Sequence, residues 1–80
     1  MKPELYTEVM LLADFPEYQL RTGDIVLYIE YLVSPQGKEG AIVEIFNAIG
    51  ESLGIATVPL SAIAPLTSDY LPSVRPMKAS

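Results

Sequence analysis

Eighty residues make one domain, and with half of them apolar the chain has the material for a compact core rather than disorder. Cysteine and histidine are both absent, which excludes disulfides and thiolate metal sites and removes the commonest general base and metal ligand. Ten acidic residues against five basic ones give a net charge of −5, and three of the cations (Lys2, Arg75, Lys78) lie near the termini, so the clustered basic surface that a phosphate backbone demands is missing.

In chain order, the opening MKPELYTEVM lacks the charged and then continuously apolar pattern of a signal peptide. No stretch approaches the roughly 18 apolar residues that span a bilayer. The expectation is a cytoplasmic protein with no membrane association. Glu8–Leu12 reads as a first short strand that halts at Asp14-Phe15-Pro16. A long loop through Glu17–Thr22 follows and closes on a Gly23-Asp24 turn. Ile25–Val33 is a second strand with Ile25, Leu27, Ile29, Tyr31 and Val33 on one face at period two. Its other face, Val26, Tyr28, Glu30 and Leu32, is far from uniformly polar. A helix is the competing reading of this short apolar run, and its β-branched and aromatic content favours strand.

Ser34-Pro35-Gln36-Gly37-Lys38 is a turn cluster. Ala41–Phe46 is a third strand in which Val43 and Ile45 oppose Ile42, Glu44 and Phe46. Asn47–Ser52 reads as a hairpin turn, and Leu53–Val58 as a fourth strand that accommodates Gly54 as a bulge or close approach. Pro59 ends it, Leu60–Ile63 suits one helical turn, and Ala64-Pro65-Leu66 suits a last short edge strand. The predicted fold class is therefore all-β: a small SH3-like five-stranded barrel with one helical turn before the last strand, over residues 1–66. Residues 67–80, TSDYLPSVRPMKAS, read as a flexible C-terminal tail.

The segments LLADFPEYQLRTGDIV, EGAIVEIFN and IATVPLSAIAPL together resemble a family of small bacterial proteins, the Domain of Unknown Function 4926 family. The matching positions are Asp14, Pro16, Glu17, Leu20, Gly23 and Asp24, then Val43 and Glu44, then Val58, Pro59, Ile63 and Leu66. The resemblance covers about residues 5–66 and implies an SH3-like barrel of bacterial origin with no established reaction. The chain departs from that pattern after the Gly-Asp turn, where Val26 and Leu27 replace the family's Gly and Thr. It departs again at the hairpin tip, where Ile49 replaces a polar residue.

Those departures add apolar side chains at positions expected to be partly exposed, and a contiguous exposed apolar patch marks association surfaces. Two readings stand. In one, Val26, Tyr28 and Leu32 fill the core of a strongly curved sheet; in the other, they face a partner or a second copy. Phe15 and Tyr18 form either a small aromatic shelf on the first loop or packing against the barrel mouth. The partner-binding candidates are accordingly Phe15, Glu17, Tyr18, Val26, Tyr28 and Ile49.

Chemistry is sparse. Asp14 and Glu17 are a close carboxylate pair, but the further oxygen ligands of a Ca²⁺ loop are missing, and Asp14 suits loop stabilisation by bonding its own backbone. The glycines are scattered and cannot cradle a phosphate. No serine has a histidine to activate it, and a polyproline groove lacks its tryptophan. The chain is expected not to be an enzyme and to carry no cofactor or metal. Two functions fit: a non-enzymatic protein-interaction module, or an acidic antitoxin- or immunity-like partner that neutralises a basic effector protein.

Overall fold

The computed structural model describes residues 3–66. Five strands run in the order β1 (Thr7–Leu11), β2 (Ile25–Val33), β3 (Glu39–Phe46), β4 (Ser52–Pro59) and β5 (Ile63–Pro65). A 3-10 turn at Pro16–Tyr18 lies in the first loop, and another at Leu60–Ala62 directly precedes β5. All pairings are antiparallel within one sheet of order β4-β3-β2-β1-β5. No α-helix occurs among the described residues, and Ile25–Val33 is strand throughout. Among the described residues the sheet is open: β4 and β5 are its edges, and no ladder joins them. The tail expected over 67–80 lies outside the described residues.

The last strand begins earlier than expected, at Ile63, because Leu11 of β1 pairs with it directly. The two hairpins share one closure. Ser34 and Asn47 each open a turn whose fourth residue, Gly37 or Gly50, has a positive φ of 84° or 85°. In each, the opening residue's backbone N–H donates to the carbonyl four residues on, and its side-chain oxygen accepts backbone N–H groups within the turn. This is the three-residue hairpin with a left-handed glycine, whose twist suits antiparallel strands.

One face of the sheet holds the core. Val9 and Leu11 of β1, Ala41 and Val43 of β3, and Ala56 and Val58 of β4 alternate inward and are buried. Leu20 of the first loop, Leu60 of the second 3-10 turn and Ile63 of β5 complete this core. Strand β2 departs from simple alternation. Tyr28 pairs with Val43 but Glu30 pairs with Ile42, so Ile29 is an extra residue and the register shifts there. Before this bulge Val26 and Tyr28 point inward, at 2% and 3% exposure; after it Tyr31 stands opposite the inward Ala41. The single face expected for Ile25, Leu27, Ile29, Tyr31 and Val33 is therefore split in two. A bulge bends its strand and increases local twist. Here it lies where β2 passes from pairing with β1, over residues 25–28, to pairing with β3 alone.

Candidate functional site

The first loop is built as a small closed structure of its own. Phe15 and Leu20 form a two-way backbone bridge, with N–H to carbonyl distances of 2.8 and 3.0 Å. Gln19, at φ 60°, turns the chain between them after the 3-10 turn. Asp14 reaches across the loop: its Oδ1 accepts the Thr22 backbone N–H at 2.8 Å and the Thr22 hydroxyl at 2.9 Å. Asp14 thus stabilises the loop as expected, through a backbone group eight residues away rather than a local one. The Asp24 carboxylate accepts the Arg21 N–H at 2.9 Å at the loop's exit.

The Thr22 backbone N–H, then the Thr22 hydroxyl and the charge of Arg21, hold the Asp14 carboxyl below its ordinary value of 3.8, against a smaller opposing desolvation. A carboxylate depressed in the folded state contributes stability above its unfolded pKa and loses that contribution as pH falls through the folded one. Asp14→Asn keeps an acceptor oxygen but removes the charge. Its melting temperature is expected to fall less steeply than that of the wild type between about pH 5 and pH 2. Parallel acid melts check this, and superimposable slopes would remove Asp14 from the acid response.

The six candidate residues separate into three environments. Val26 and Tyr28 belong to the core, so neither offers a surface to a partner; of the two readings open for them, core filling is the one realised. Phe15 and Tyr18 are partly buried and pack against the same core, as loop packing rather than an exposed aromatic shelf. Glu17 is exposed on the 3-10 turn, and Ile49 is 79% exposed at the tip of the β3–β4 hairpin. Leu32, read as a core filler in the same alternative, is only partly buried and lies beyond the bulge opposite Gly40.

The hairpin that carries Ile49 also carries residues that were not singled out as partner-binding candidates. Phe46, Leu53 and Ile55 of the same hairpin are large apolar side chains 40%, 63% and 58% exposed. Phe46 lines two adjoining open depressions. One lies between Glu8, Ile25, Leu27 and the hairpin turn, and the other runs from Gln19 and Leu20 of the first loop to Leu53. Loop and hairpin therefore form one continuous surface. The loop also touches β4 directly, where the Tyr18 hydroxyl accepts the Thr57 backbone N–H at 3.4 Å.

The outer face of the sheet is acidic between its apolar groups. Glu8, Leu27, Glu44 and Ile55 lie side by side across β1, β2, β3 and β4. The cations among the described residues are Arg21 in the first loop and Lys38 in the β2–β3 turn, and neither stands in this row. Among the described residues no three His, Cys, Asp or Glu side chains are grouped to hold a metal ion, and no helix is long and apolar enough to cross a membrane.

Comparisons of the chain with protein-family models, with curated proteins and with solved structures found no match.

Proposed function

We propose that this chain is a non-enzymatic protein-interaction module of the bacterial cytoplasm, related to the Domain of Unknown Function 4926 proteins and built as an SH3-like barrel. The strand order, the long first loop, the bulged and bent β2 and the 3-10 turn before a short β5 support the barrel reading. The observation that carries the function is that four of the nine exposed large apolar side chains among the described residues, Phe46, Ile49, Leu53 and Ile55, lie on one hairpin. Scattered exposed apolar residues need no explanation, whereas a grouped set marks association. The binding surface in this reading is the hairpin together with the neighbouring first loop, with Glu17 at its polar rim.

A second reading, an acidic antitoxin- or immunity-like partner of a basic effector, is favoured by the row containing Glu8 and Glu44 and by the net charge of −5. Affinity capture from the native organism separates the two. Wild-type bait is expected to retain a specific protein that an Ile49→Glu, Phe46→Ser double variant loses, with retention little changed by salt. Retention that collapses steeply with salt and survives the double variant assigns the acidic face instead. Bait that retains nothing beyond what a scrambled control retains overturns both.

A further inference from the structure

The sheet's two edges are guarded unequally, for β4 carries a bulge at Leu53 and a terminal Pro59 but no charge, and Tyr18 of the first loop touches it at Thr57. Strand β5 has three residues and ends in Pro65, and short, proline-bearing edges resist further pairing. Strand β4 has eight residues, SLGIATVP, with no charge anywhere in it. It thus lacks the lysine or inward charge by which soluble proteins guard a long edge. Its outward backbone groups can be placed. The Thr57 N–H points away from β3, because it is donated to Tyr18 in the first loop. Residues two apart on a strand present their backbone groups in the same direction, so the Ile55 N–H and carbonyl also face outward.

We propose that this edge pairs with the same edge of a second copy, antiparallel about a two-fold axis at Ile55, joining two sheets into one of ten strands. The inference rests on the interaction-module reading above and names a partner for its β4 side. Three features favour a second copy over another occupant. The register is self-complementary: Ile55 meets Ile55 and exchanges both backbone bonds with it, while the exposed Leu53 of each copy comes opposite Thr57 of the other. The uncharged strand lets two acidic molecules meet without placing like charges opposite each other. The nearest outward carboxylates in the row, Glu44 of each copy, are kept three strand spacings of about 4.8 Å apart, roughly 14 Å, beyond the screening length at physiological salt. A basic peptide would find no carboxylate on β4 itself.

Tyr18 competes with this pairing. Its hydroxyl occupies the Thr57 N–H, the donor that the second copy's backbone near Leu53 would take, through a bond that is long at 3.4 Å. Tyr18→Phe keeps the ring against the core and removes the competing oxygen.

Sedimentation equilibrium of the full chain across a concentration series tests the proposal, with circular dichroism confirming that each variant is folded. The wild type is expected to dimerise reversibly, Tyr18→Phe to dimerise about tenfold more tightly, and Ile55→Lys to be at least about tenfold weaker because two like charges then face each other. Wild type and Tyr18→Phe both monomeric at the highest concentration overturn the dimer. So does a dimer indifferent to Ile55→Lys, or one lost only on deletion of residues 67–80. Each of these leaves the capture experiment standing, since that one reads Ile49 and Phe46 rather than Ile55 and Tyr18.

Discussion

Tyr28→Ala is expected to lose about 3–5 kcal/mol of stability, the range for deleting a large aromatic side chain from a packed core. Tyr28 is 3% exposed and stands opposite fully buried Val43. A domain of this size has only a few kcal/mol in hand, so the variant should be substantially unfolded at room temperature. If enough fold survives to melt, the midpoint should drop by about 12 °C or more, at roughly 4–8 °C per kcal/mol for a chain of this length. Ile49→Ala, on the hairpin tip, should change stability by less than about 0.5 kcal/mol. Thermal melts of the pair read the difference directly. A Tyr28→Ala protein that melts with the wild type would place that ring on the surface and restore it as a binding residue.

Gly54→Ala is expected to lose about 1–3 kcal/mol for a reason unrelated to packing. Gly54 has φ +128°, and a Cβ built there meets nothing within 4 Å. Space is free, and the backbone conformation alone disfavours an L side chain. The position has structural consequence because the β3–β4 ladder shifts register beside it: Ile45 pairs with Gly54 while Phe46 pairs with Ser52, leaving Leu53 as the extra residue. Relaxing Gly54 toward ordinary strand geometry would disturb the bulge and with it the presentation of Leu53. Gly40→Ala is the matched control, since its φ is not in the left-handed region and its added Cβ would approach no closer than 3.5 Å to the Val58 carbonyl oxygen. Chemical denaturation of both variants should find Gly40→Ala near the wild type and Gly54→Ala well below it. Equal midpoints would mean that the strain is absent. A D-alanine at 54, introduced by synthesis, should recover the wild-type value.

Much of the fold is legible in the residues. Gly23, Gly37 and Gly50 mark the turns because each sits where the chain needs a positive φ, and the last two close turns opened three residues earlier by the bonding side chains of Ser34 and Asn47. Pro16 and Pro59 mark the ends of regular pairing, and β-branched and aromatic runs mark the strands between them. The candidate site is less legible. Ile49 stands out at a hairpin tip, but Leu53 and Ile55 look like ordinary strand residues. Nothing local distinguishes a strand with two neighbours from a strand with one. Phe46 and the first loop come together only because the sheet brings Leu20 and Leu53 to the same depression, 33 positions apart in the chain.

By itself, then, the amino-acid sequence of this protein determined an all-β chain, the order of its strands, the turns that join them and the acidic balance of its surface. Each of these depends on short-range conformational preference and on composition. Only the tertiary structure decided which face of β2 is buried. Period-two alternation defines two faces without assigning either to the core, and the extra residue at Ile29 exchanges them partway along the strand. The same holds for β4: Leu53 and Ile55 became a surface, and its backbone an open edge, because among the described residues no second strand pairs beside it.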